Sequence, residues 1–148
     1  MGPVVSGVLN VGVIDLPHPG GEKSGLTTGD LAEILEGKYE LYSGFVELHQ
    51  EDIAAALVDS LDDALDTIIG AGVVPSNPLA AAEQKVTTLL RTYFDNEEIA
   101  KLASQGVPTA AALKGVNHRL KLSKGPRRPS FIDTGALRAA SDCWTEVV

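Results

Sequence analysis

Three histidines, one cysteine and a run of aspartates are the residues with reactive chemistry to offer. Each needs partners at a set spacing to use it. His18, His49 and His118 are scattered, and none has an acid or nucleophile at a spacing that defines a proton relay. His18 sits between Pro17 and Pro19, which predicts an exposed loop residue rather than a metal ligand. The lone Cys143 excludes an internal disulfide and a multi-cysteine metal site. Its β-type neighbours predict a half-buried strand thiol, not a nucleophile. Asp59, Asp62, Asp63 and Asp66 would hold a divalent cation only by converging, and they lack calcium-loop spacing. A solvated helix face is the expectation. Gly20-Gly21 and Gly70-Ala71-Gly72 lack the strand-turn-helix setting of a dinucleotide site, and no GxSxG elbow or His-Glu-x-x-His pair occurs. The sequence predicts no enzyme, no cofactor and no metal.

Composition narrows the class. A chain of 148 residues is expected to form one domain, spanning 1–148, with a real core. Its 44% hydrophobic and 22% charged residues are ordinary for a soluble globular protein, and no apolar run has the length of a membrane span. Met1 to Val5 lacks the basic flank and apolar stretch of a secretory signal, and Pro3 argues against a myristoylated Gly2. The net charge of −8 is unevenly placed. From Asp15 to Asp66 acids far outnumber the two lysines, Lys23 and Lys38, whereas six of the twelve Lys and Arg lie between Lys114 and Arg128 with no acid among them. The acidic body disfavours general coating of nucleic acid. The basic loop, at about 115–129, suits the acidic face of a neighbouring copy, or DNA. It has no interleaved aromatics for stacking single strands.

The elements that must position these groups follow from periodicity and punctuation. Val4 to Ile14 is dense in β-formers and predicts a strand, broken by Pro17 to Gly21. Thr27 to Asp30 caps a short helix that Gly37 closes, and Gly44 to Leu48 reads as an extended link. Ile53, Leu57, Leu61, Leu65 and Ile68 recur at steps of three and four, one apolar stripe of a helix ended by Gly70 to Gly72. Asn77-Pro78 starts a second long helix through Tyr93. Asp95 and Glu98 have capping-box spacing for a helix over Glu97 to Ala103. Ala110 to Lys114 adds a helical turn stopped by Gly115, and 116–129 is expected to be a mobile loop.

After that loop comes Arg127-Arg128-Pro129-Ser130-Phe131-Ile132-Asp133-Thr134-Gly135-Ala136-Leu137-Arg138. Pro129 pushes Arg128 into an extended conformation, and Asp133 and Thr134 are good N-caps for a short helix to Ala140. Trp144 to Val148 then reads as a last strand.

This Arg-Pro-x-Phe-Ile-Asp-Thr-Gly-x-Leu-Arg pattern resembles the ending of tailed-bacteriophage virion-morphogenesis proteins of the neck and tail-completion type. In those proteins a Pro-Leu-Ile-Asp-Thr-Gly-x-Leu-like segment leads into a final strand. Val11-Gly12-Val13-Ile14 is similar to the family's opening strand, Leu31-Ala32-Glu33-Ile34 to its first helix, and Pro108-Thr109 through Lys114-Gly115 to its later turn. The resemblance touches most of the chain, and its most specific part is 129–137.

The resemblance implies an α+β fold, a small mainly antiparallel sheet with long α-helices packed on one face. It implies a structural role in the virion neck: a homo-oligomeric ring, hexameric by the symmetry of phage tail tubes, that completes the tail or joins it to the head connector. Other neck, connector or tail-tube proteins would be its partners, with possible non-specific contact to DNA in the channel and none to membrane. Its place would be the virion, and the host cytoplasm during assembly. The alternatives are another phage structural role, in head closure or as a baseplate adaptor, or a non-phage protein-interaction module. The residues expected at the assembly interface are Lys121, Lys124, Arg127, Arg128, Phe131, Ile132, Asp133, Thr134, Gly135 and Leu137.

Overall fold

The two ends of the described chain meet in an antiparallel ribbon, and the helices pack on one face of it. The structure, a computed structural model, describes residues 7–18, 25–102, 106–115, 124–127, 129–132 and 135–147. In order these form β1 (Gly7–Val13), α1 (Thr28–Tyr39), α2 (Leu41–Ala71), α3 (Ala80–Asp95), a 3-10 turn (Glu98–Leu102), α4 (Ala110–Lys114), α5 (Ala136–Ala140) and β2 (Ser141–Val147). The architecture is α+β, as the resemblance implies. β1 and β2 pair from Gly7 opposite Val147 to Val13 opposite Ser141. Gly12 leaves room for the Trp144 indole, since a Cβ there would sit 3.1 Å from the ring. A two-stranded ribbon is marginal alone, so its stability comes from α1 and α3 beneath it.

Local chemistry explains most element starts. Thr27 and Asp30 form a reciprocal capping box on α1, with the Thr27 side chain accepting from Asp30 N–H and the Asp30 carboxylate accepting from Thr27 N–H. Thr109 caps α4, and Gly115 ends it with φ of 62°. Asn77 accepts from Leu79 N–H, so the Asn77-Pro78 pair forms a turn and α3 starts two residues later, at Ala80.

Several expectations are corrected. Gly44 to Leu48 is not an extended link but part of the first turns of α2. The Glu36 carboxylate, at the end of α1, accepts from Tyr42 N–H and from Ser43 N–H and Oγ, which caps the new helix. Gly44 marks close approach: a Cβ there would lie 3.0 Å from Leu102 and 3.2 Å from the Tyr93 hydroxyl. Helix α1 passes through Gly37 and ends at Glu40, which takes the left-handed conformation. The helix expected over Glu97 to Ala103 is only a 3-10 turn, because Asp95 pairs with Arg138 and Glu98 with His49 instead of capping. The last strand starts at Ser141, directly after α5, since Ser141 Oγ donates to Leu137 O and Tyr42 holds the same hydroxyl. His18 is buried rather than exposed, because its loop doubles back: Pro17 bridges to Thr27 and His18 N–H donates to Leu26 O.

The core lies where α2, α3, the 3-10 turn and α5 meet. Leu41, Phe45, Val86, Leu90, Tyr93, Phe94 and Ile99 fill it. Tyr93 is buried, but its hydroxyl donates to Leu41 O at 2.7 Å, so the polar tip is satisfied.

Candidate assembly interface

The base of the basic segment is built around one buried carboxylate. Asn96 and Glu97 turn the chain out of α3, Glu97 adopting φ of 52°, a left-handed conformation that favours glycine. Glu97 is 9% exposed; it accepts from Ser130 N–H at 2.6 Å and from Arg127 at 2.7 Å. Ser130 Oγ, itself buried, accepts from Thr109 N–H, and Thr109 caps α4. Glu97, Ser130 and Thr109 therefore tie three separate stretches together through charge-assisted and buried hydrogen bonds. Gly125 N–H donates to Lys114 O, and Gly115 and Gly125 pass so close that a Cβ on Gly115 would strike the Gly125 backbone. The basic segment leaves and rejoins the body at this crossing. Sequence reading missed Glu97 and Ser130; an acidic pair, Glu97-Glu98, ahead of an acid-free basic run was the available signal.

The residues expected at the interface divide between core and surface. Phe131 packs on Tyr39 with ring centroids 5.0 Å apart and has φ of 69°, strained for a bulky residue. Ile132 is half-buried against the core, and Leu137 is in it. Gly135, with φ of 77°, is the N-cap position of α5, and the expected caps Asp133 and Thr134 lie outside the described residues. Lys124 and Arg127 are exposed, although Arg127 also pairs with Glu97. Lys121, Arg128, Asp133 and Thr134 lie outside the described residues, as do 116–123 of the expected mobile loop. The apolar letters of the motif thus dock the chain end on its own subunit; of the described basic ones, Arg127 is exposed and Arg138 is paired with Asp95.

Of the groups weighed for chemistry, Cys143 is buried in β2, and that burial, helped by Glu83 and Asp142, pushes its thiol up to about 12. Such a thiol is inert near neutral pH. His49 has two acidic partners after all: Nε2 lies 2.6 Å from Glu98 and Nδ1 3.1 Å from Asp52. Glu98 is far away in sequence, so no local spacing could announce it. His49 also marks a break in α2, with φ of −114° and ψ of 18°, and its ring packs beside Phe45 and Tyr93. The cluster fastens the 3-10 turn to the kink. An open groove of about 610 Å³ runs between β1 and the start of α2, lined by Val11, Glu33, Glu36, Tyr42 and Val46 among others. Glu36 in that groove is already engaged with the first turn of α2. Among the described residues no group of His, Cys, Asp and Glu is arranged to hold a metal ion, and no helix is long and apolar enough to cross a membrane.

The expected apolar stripe of α2 is only half used. Ile53 and Leu57 pack against the core, but Leu61, Leu65 and Ile68 are exposed. Ala56, Ser60 and Ala64 are the buried positions instead, a row of small residues at steps of four on the helix that packs against α3. Asp59, Asp62, Asp63 and Asp66 are solvated, as the sequence predicts. The tip of the α2–α3 hairpin exposes Val73 and Val74 as well.

No protein-family model, curated protein or solved structure matches this chain.

Proposed function

We propose that this chain is a structural subunit of a tailed-bacteriophage neck, with copies forming a ring that completes the tail or joins it to the head connector. Its partners are further copies of itself and the adjoining neck, connector or tail-tube proteins. It performs no catalysis and needs no cofactor. The observation that carries this reading is the Arg-Pro-x-Phe-Ile-Asp-Thr-Gly-x-Leu-Arg pattern at 128–138. The fold supports it in one respect: Ser130, Phe131 and Leu137 are all spent on seating that segment and leading it into β2. A motif of this kind reports a shared way of ending the fold. The exposed Lys124 and Arg127 are left to meet an acidic neighbour or the phosphates of passing DNA.

Electron microscopy of particles from a phage carrying an in-frame deletion of the gene tests the reading. Filled heads lying apart from tails are expected, with overgrown tubes if the ring terminates the tail. Intact, infectious virions would sink it. A protein-interaction module outside any virion is the second reading, favoured by the exposed apolar residues of α2, which call for a partner without specifying a particle.

A further inference from the structure

We infer that the outer half of α2 is the receptor face for the basic end of a neighbouring copy of this chain, so that copies join head to tail. The inference rests on the ring reading above and names the surfaces that would make the ring.

The face has a defined chemistry. Val58, Leu61, Leu65, Ile68 and Ile69 follow one another at steps of one, three and four, and all are exposed, Leu65 at 54% and Ile69 at 82%. A contiguous patch of this kind on a helix is a contact surface by default. Asp59, Asp62, Asp63 and Asp66 flank it, and the whole of α2 contains no Lys or Arg. Four aspartates therefore crowd the C-terminal half of a long helix, where the macrodipole is already negative. The face suits an occupant that is both apolar and basic.

Two copies of the face cannot serve each other. A two-fold pairing of α2 on α2 would set eight aspartates around one apolar seam, and Lys85, 3.8 Å from Asp59, offsets only one of the four on each copy. The complementary surface sits elsewhere on the same chain. Lys101, Lys114, Lys124 and Arg127 are exposed around the Glu97 hub and the Gly115–Gly125 crossing, with Leu113 exposed beside Lys114. This basic end is fixed to the inner end of α2, where Glu98 meets His49. Leu61 to Ile69 lie about 18–30 Å farther along the helix axis at 1.5 Å per residue. The two surfaces are too far apart to meet within one subunit, and unlike surfaces at opposite ends are what a closed heterologous ring requires.

The test uses the full chain in solution. Wild-type protein should self-associate in a concentration-dependent and salt-sensitive way by analytical ultracentrifugation. Leu61→Gln with Leu65→Gln should weaken association about a hundredfold while leaving the circular dichroism spectrum unchanged. Asp62→Asn with Asp66→Asn weakens the acidic face and keeps the basic one; Lys114→Gln with Lys124→Gln does the reverse, and neither change creates a new charged face. Each of these variants should be monomeric alone, and their mixture should stop at a 1:1 heterodimer. The mixture is its own folding control, because a variant that binds is folded. A wild-type protein that stays monomeric at roughly millimolar concentration overturns the inference. So does association that survives the Leu61 and Leu65 changes, or charge variants that still self-associate. The virion reading fails separately: heterodimers here with intact particles from the deletion phage would remove the neck and keep the contact.

Discussion

The two halves of α2 share a helix and an apolar sequence but not a fate. In the inner half, Leu41 and Phe45 are 1% and 0% exposed; in the outer half, Leu61 and Leu65 are 49% and 54% exposed. The inner half buries the large Leu41 and Phe45 in the core, whereas the buried positions of the outer half are the small Ala56, Ser60 and Ala64. Apolar periodicity states which face of a helix avoids water, not whether its own chain covers that face. The inner half is core, and the outer half leaves its large apolar side chains in water.

The largest expected effect tests that contrast directly. Phe45→Ala should cost about 3–5 kcal/mol, because the ring is fully buried against Tyr93 and its loss leaves a cavity. Leu65→Ala should change the stability of the dilute monomer by less than about 0.5 kcal/mol, since the side chain is already in water. Urea unfolding of both variants measures the difference. A cost of several kcal/mol at Leu65 would mean that the outer half is core, and the contrast would collapse.

Next in size is the anchor at the inner end. Glu97→Ala strips the acceptor from the buried Ser130 N–H and from Arg127, and should cost about 1–3 kcal/mol. Glu97→Gln keeps one carbonyl acceptor and should cost less. Equal losses from the two variants would argue that packing, not the hydrogen bond to Ser130, gives Glu97 its role.

How legible this was in the sequence depended on whether a signal was local. The capping box at Thr27, the turn at Thr109 and Gly115 and the β-formers of β1 were all readable, because neighbouring residues encode them, whereas the antiparallel α+β class came from the resemblance of the terminal motif. The start of α2 was not, because its cap is the Glu36 side chain arriving from α1, and Gly44 looked like a breaker although it serves packing. Asp95 and Glu98 looked like a capping box but are claimed by Arg138 and His49, partners that are 43 and 49 residues away. In the candidate interface the basic charge was visible and the buried Glu97 that anchors it was not. The apolar letters of the terminal motif could not be sorted into core and contact by type. Exposure of Leu61 and Leu65 was hidden for a similar reason: the small residues of the α2–α3 seam carry little hydrophobic signal.

A smaller change should improve the outer half without touching its exposed face. Ser60 is 3% exposed at the α2–α3 seam, and its hydroxyl has no hydrogen-bond partner among the described residues. Ser60→Ala removes that unsatisfied group and favours helix, for a gain of about 1 kcal/mol. The gain should appear in the urea midpoint while self-association stays as in wild type. A loss of stability would show that the hydroxyl is satisfied after all, and that the seam is better built than the inner–outer contrast allows.

The smallest effect belongs to the pair that ties α5 to the end of α3. Arg138 donates to both oxygens of Asp95 at 2.6 Å, and this hydrogen bonding, with the attraction of the guanidinium, holds the Asp95 carboxyl below its ordinary value. Unfolded, the same carboxyl takes up its proton near pH 3.9. The unfolded chain therefore binds more protons than the folded one in that window. The pair's contribution is complete above about pH 3.9 and disappears as pH falls through the lower folded value. Asp95 is 45% exposed, so water limits that contribution to less than about 1 kcal/mol even in a two-pronged geometry. Asp95→Asn should lower the urea midpoint slightly near neutral pH and match wild type in strong acid. Because the pair lies at the inner, folded end, the same substitution should leave association between copies unchanged. A change in association would place Asp95 in the contact between copies and move the boundary between the two halves.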